Sequence, residues 1–289
     1  MQHHQDLKSL KIKGSRWGGQ LDMPYIQQLM PLSEICVDDE KLLQIKRQEL
    51  VPLLDDHSRL QHYAARVVQA QSALLTSIDP KLTQDLSHSI QALIDALNSS
   101  KRYMQVKRFN RLQRWLGSDL DYASQQMAYY QQLERLIART HDLSAQLHIE
   151  IQKSEARYQQ LTGLREHMAQ YIRAAQEFVL EYPTFVKNRH PLDQFSERLS
   201  KKINTLETLQ SSNDIAMQQM YLSQQLALTL LDRFLEAEQV LLPAWKYHLQ
   251  QREAIQGKQL TDLDRSRNRL IKTLKQALEH TMPSSSHSR

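Results

Sequence analysis

Between Gly117 and Pro183 run 65 residues with no proline and a single glycine, Gly163. Tyr130, Leu133, Ile137, Leu147, Ile151, Tyr158, Leu161, Met168, Ile172, Ala175 and Val179 fall on one ladder whose rungs alternate three and four residues apart. That spacing is the signature of a helix that keeps one apolar seam facing a partner. At 1.5 Å rise per residue such a helix reaches roughly 90–100 Å. No compact enzyme domain needs a rod of that length. The chain is therefore predicted to be all-α, an elongated antiparallel helical bundle with long coiled-coil-like helices.

Composition agrees. Of 289 residues only six are glycine and five phenylalanine, and Gln, Leu, Lys, Arg and Glu are abundant. Straight side chains lose little freedom in a helix, whereas sheets favour β-branched and aromatic residues. A long thin bundle buries less per residue than a globule, so several narrow seams are expected and no single thick core. Cys36 is alone, which fits a reducing compartment and excludes an internal disulfide. The first residues lack the apolar run of a signal peptide, and no stretch of eighteen apolar residues occurs, so a cytoplasmic location is expected, or a peripheral one at the inner membrane.

Punctuation divides the chain into a flexible arm over 1–38, a helical region over 39–100, a long-helix bundle over 101–281 and a disordered tail over 282–289. Tyr25, Ile26 and Leu29 mark a short docked piece within the arm. Asp38, Asp39 and Glu40 suit the positive end of a helix, and Pro52 should kink or end that helix. A longer helix is predicted with Leu60, Ala64, Val67, Leu74 and Ile78 on one face. Asp79 and Pro80 signal a restart. Asn98, Ser99 and Ser100 should stop the next helix, and Gly117 should end a short basic one over 101–116. Pro183 and Pro191 bracket a connector. Ser211 to Asp214 is a candidate interruption of the helix that follows, and Pro243 a kink or break.

The basic helix is the sharpest compositional feature. Lys101, Arg102, Lys107, Arg108, Arg111 and Arg114 come without one acid, against a formal charge of +5 for the whole chain. Val106, Phe109, Leu112, Trp115 and Leu116 make a complementary apolar side. Such a helix can lie on an anionic bilayer, grip an acidic protein surface or phosphates, or simply pack by its aromatics with its cations in water. No zinc finger or RNA-recognition signature favours nucleic acid. The chemistry-bearing motifs point nowhere else. No two of the twelve histidines stand four apart, so no metal site is expected. No glycine-rich phosphate loop is present, so no cofactor is expected either. Asp55 and Asp56 read as helix-end charges, and Met217 and Met220 as core residues at helical spacing. No catalytic residue is proposed from the sequence. Pro243 and Trp245 are a candidate structural or partner anchor, since proline bends a helix and tryptophan buries a large area.

Several short runs resemble the bacterial toxic anion resistance (TelA/KlaA) family, associated with tellurite resistance. They are Arg108-Phe-Asn-Arg-Leu-Gln-Arg-Trp-Leu-Gly117, Tyr129-Tyr130 with Ile137 to Leu143, Met168-Ala-Gln-Tyr-Ile-Arg-Ala-Ala-Gln-Glu177, Leu242-Pro-Ala-Trp-Lys-Tyr247, and Asp264-Arg-Ser-Arg-Asn268-Arg-Leu270. Ala175 stands where the family often has glycine, and the stretch before residue 100 shares only helical periodicity. The resemblance implies a stress-resistance protein with no catalytic motif. The expected role is a non-enzymatic scaffold or adaptor with protein partners, or self-association through an open seam. The alternatives are a peripheral membrane protein acting through residues 101–116, or an enzyme acting on toxic oxyanions. A single cysteine weighs against the last, since reduction needs thiols or a redox cofactor.

Overall fold

A computed structural model describes residues 29–104, 110–185, 194–250 and 258–279. Most of the predicted arm, including Tyr25 and Ile26, the connector up to Pro191 and the tail lie outside the described residues. Every regular element among those described is helical. The helices are α1 (Asp39–Ile45), α2 (Ala65–Leu74), α3 (Pro80–Met104), α4 (Arg111–Trp115), α5 (Ser118–Phe185), α6 (Phe195–Glu236), α7 (Leu242–Gln250) and α8 (Lys258–Glu279). The fold is all-α.

Helix α5 has 68 residues, about 100 Å at the standard rise, and α6 runs beside it. Tyr182 and Phe178 meet Phe195, Gln176 meets Glu207, Arg165 meets Asp214, Tyr158 meets Tyr221, and His141 meets Glu238. Partners rise along α6 as they fall along α5, so the two helices are antiparallel. Helix α3 is antiparallel to α5 by the same logic. The Tyr129 hydroxyl donates to the Ala96 carbonyl, and Ser89 pairs with Thr140.

The ladder of α5 is complete. Leu133, Leu147, Ile151, Leu161, Met168, Ile172 and Ala175 are buried, and the rungs without an apolar residue are Thr140, Ser144, Ser154 and Arg165, all buried too. The remaining helices complete two separate cores on this α5–α6 pair. At one end α3, α7 and α8 enclose Leu86, Ile90, Leu97, Leu147, Leu230 and Leu274. At the other, α1 and α2 with their connecting turns enclose Leu50, Tyr63, Ala175, Phe178, Phe195 and Leu199. A small waist of Leu161, Met217 and Met220 joins them. Both methionines are core residues.

Two helix starts fall where expected, Asp79 as the predicted cap and Asp38 capping as well as contributing charge. Asp38 accepts from the Glu40 N–H, and Asp79 accepts from the Lys81 N–H. Each carboxylate satisfies a first-turn donor that has no partner within its helix. Several predicted stops differ. Helix α3 passes through Asn98-Ser99-Ser100 to Met104, because Ser99 and Ser100 turn their hydroxyls back onto the carbonyls of Ala96 and Leu97. Helix α6 passes through 211–214, where the Asn213 and Asp214 side chains have partners on other segments. Pro183 lies inside the last turn of α5. The single helix expected through Leu60 and Ile78 is broken, because Ala64 adopts a left-handed conformation at φ 59° and α2 ends at Leu74.

Pro52 and Pro243 are handled alike. Each follows, after one intervening residue, a turn of π-helix: Lys46–Leu50 before Pro52, Ala237–Leu241 before Pro243. The N–H of Leu242 reaches five residues back, to Ala237. A proline ring collides with the carbonyl four residues earlier in a regular helix. A widened turn moves that carbonyl away, so helical structure carries on through Pro243 into α7.

Candidate functional site at a basic tip and a charged cleft

The described residues of the predicted basic helix over 101–116 fall on α3 and α4. Lys101 and Arg102 belong to the last turn of α3, and their side chains, with all of Lys107 and Arg108, lie outside the described residues. Arg111, Arg114 and Trp115 are brought together on α4. This helix starts at Asn110, whose N–H donates to the Gln113 side chain at 3.0 Å. It ends at Gly117, which adopts φ +74° and donates to the Arg114 carbonyl. That left-handed turn is cheap only for glycine. It sends the chain from α4 into α5, and the apolar face of α4 is left in solvent. Trp115 is 84% exposed, Leu112 75%, Leu116 69% and, in the first turn of α5, Leu120 73%.

Trp245 is placed oppositely. It is only 1% exposed, among the residues of the larger core, and its indole N–H has no hydrogen-bond partner among the described residues. Pro243, two residues ahead of it, is exposed. Of the pair, Trp245 is the buried member. Further along, Asp264 and Asn268 border a shallow open depression on α8 with Arg265, Arg269 and Lys272. Arg267, on the opposite side of α8, is buried with Nη1 2.9 Å from Asp264.

A second site has no counterpart among the predicted residues. Where residues 29–42 cross the α5–α6 pair there is a cleft of about 630 Å³, lined by Leu32, Val37 and Ile172 and by Arg165, Glu177, Glu207 and Asp214. The groups around it are tied across segments. Arg165 donates to both carboxylate oxygens of Asp214, at 2.8 and 2.9 Å, and to the Met30 carbonyl at 2.6 Å. Gln210 also donates to Asp214, and its own side-chain oxygen accepts from Gln71, which in turn accepts from Asn213. This buried relay locks α2 and the segment before α1 onto the long pair. Its sequence signal is a charged residue on a rung that should be apolar, since an arginine there must bring a buried partner.

Lys46 adds a second clamp, reaching Glu177 at 2.8 Å and Glu181 at 2.7 Å. Burial pushes its ammonium down, but hydrogen bonds and charge from Glu177 and Glu181 outweigh that and hold its pKa above the ordinary value. The hydrogen bond from Lys46 likewise holds the Glu177 carboxyl below its usual 4.5, against the opposing effect of burial. Beside them the Tyr171 phenol is pushed up to about 12 by burial and by the carboxylate of Glu49, to which it donates.

The sign for stability follows from linkage. A carboxyl whose pKa is lowered on folding adds stability above its unfolded value, and this is lost as pH falls through the folded value. A lysine whose pKa is raised adds stability below its unfolded value of 10.5, lost as pH rises through the folded one. Thermal unfolding of the Glu177→Gln chain should therefore depend less steeply on pH below 4.5 than that of the parent. Parallel curves there would show that the Lys46–Glu177 contact does not persist in solution.

Comparison with known proteins gives one sequence match. The chain is 29% identical over 120 residues to Protein KlaA of Escherichia coli, covering 39% of this chain and 47% of KlaA. Part of this chain resembles KlaA. The match spans about half the length of that curated relative. No family model matches the chain, and no solved structure does so either. Among the described residues no helix is long and apolar enough to cross a membrane.

Proposed function

We propose that this chain is a non-enzymatic helical scaffold or adaptor in bacterial resistance to toxic anions such as tellurite, or in a related envelope-stress response. The partial similarity to KlaA supports the resistance setting. The scaffold reading is carried by one observation: the charged groups around the cleft are tied to one another across helices, Arg165 to Asp214, Lys46 to Glu177 and Glu181, and Gln176 to Glu207. Groups paired in this way hold segments in register. Chemistry on an oxyanion would instead call for a nucleophile or base held free within reach of the substrate. A rod of about 100 Å with a cleft towards one end and an apolar tip at the other offers two separated surfaces, as an adaptor requires. Its partners in this reading are proteins, met in the cytoplasm.

Deleting the gene should sensitise the host to tellurite, and the wild-type chain should restore survival. Ser211→Tyr, which fills the exposed rim of the cleft, should fold normally and fail to restore it. Unchanged survival after deletion would remove the resistance reading. NADPH-dependent tellurite reduction by the purified chain would replace the scaffold with an enzyme.

A further inference from the structure

The tip of the rod carries a ligand class of its own. Leu112, Trp115, Leu116 and Leu120 are each more than two-thirds exposed, and Trp115 and Leu116, the latter just past the end of α4, follow Leu112 by three and four residues. Arg111 and Arg114 are exposed on the same short helix. We infer that this tip is a wedge that seats in the surface of an anionic bilayer.

Three observations favour a lipid surface over a protein. The first is size. A stable protein interface takes roughly 800 Å² from each partner, and a five-residue helix with a few projecting side chains cannot supply so much. A bilayer asks less, only apolar groups that reach past the headgroups and cations that stay among them. The second is charge. Arg111 and Arg114 stand exposed beside the apolar side chains on α4, a helix that carries no acid. Each cation near an anionic surface adds to the attraction, within about a Debye length of 8 Å at physiological salt. The third is side-chain type. Tryptophan sits best at the boundary between headgroups and acyl chains, where its ring is apolar and its N–H stays wet, and Trp115 is the most exposed large apolar residue described.

The geometry has a further result. Along α5 the tip and the cleft lie some fifty residues apart, about 75 Å. A chain seated by its tip would hold the cleft well clear of the lipid.

Sedimentation of the full chain with vesicles tests the wedge. The probes are phosphatidylcholine alone and phosphatidylcholine mixed with phosphatidylglycerol. Binding should occur to the mixed vesicles, weaken as salt is raised, and fall by about tenfold or more in Trp115→Ser/Leu116→Ser. Arg111→Glu/Arg114→Glu should lose a comparable amount. All four residues are exposed, so the helical circular dichroism of both variants should match the parent. A second readout uses fluorescence. The chain has three tryptophans, and in a Trp17→Phe background only Trp115 and the buried Trp245 emit, so a blue shift on adding mixed vesicles reports Trp115 entering the bilayer. Equal binding to both vesicle types, binding unchanged in the variants, or no binding at all would overturn the wedge. None of these results bears on tellurite survival, which reads the adaptor separately.

Discussion

Asp214→Ala is expected to lower the unfolding free energy by about 3–5 kcal/mol, the usual cost of leaving one buried charge without its partner. The loss is asymmetric. Arg165 has a side chain only 6% exposed, whereas that of Asp214 is 21% exposed, so the arginine is the worse group to strand. Arg165→Met keeps the aliphatic stem and leaves a carboxylate that water can partly reach, and should cost less than Asp214→Ala. The double variant Arg165→Met/Asp214→Leu should be more stable than Asp214→Ala alone, because buried ion pairs are commonly matched by apolar residues of similar size. Urea denaturation of the four chains measures all of this. If Asp214→Ala costs less than about 1 kcal/mol, the clamp is solvated like an ordinary surface pair.

The second large effect concerns Trp245. Trp245→Ala should cost about 3–5 kcal/mol, the range for removing a large aromatic side chain from a packed core. Trp245→Phe should cost no more than about 1.5 kcal/mol. The phenyl ring keeps most of the apolar contact, and the buried indole N–H that it eliminates has no acceptor among the described residues. Thermal melts of both variants suffice. Equal losses for Ala and Phe would mean that the N–H has a partner in solution and anchors α7 by a polar contact.

How far the sequence foretold these features can be argued residue by residue. The period of α5 was legible because every third or fourth side chain must face the same neighbour, and a rung filled by Leu, Ile or Met shows this locally. Asp38 and Asp79 were legible for a similar reason: a cap acts within two residues of itself. The failed stops differ in cause: in α3 the Ser99 and Ser100 hydroxyls do bond nearby carbonyls, and the helix carries them. Ser, Asn and Asp break helices when their side chains compete for nearby backbone groups. In α6 the side chains of Asn213 and Asp214 are occupied by Gln71 and Arg165, which are 142 and 49 residues away, so the competition never arises. The cleft was invisible for the same reason, since its pairs join segments as far as 142 residues apart. The break at Ala64 has no sequence signal that we can name. The basic segment was legible as charge and apolar pattern, but the left-handed turn at Gly117 decides that its greasy side faces water.

The slender waist at Leu161, Met217 and Met220 has a consequence for how the molecule comes apart. With few apolar contacts there, each end of the rod has its own cooperativity, and opening of one requires little from the other. Amide exchange would then resolve two populations of protected hydrogens, one following α3 and α8 and the other following α1 and α2. The two great helices, shared by both halves, would record each opening in only half their length. A partner that tightens one end would leave the other almost as loose as before.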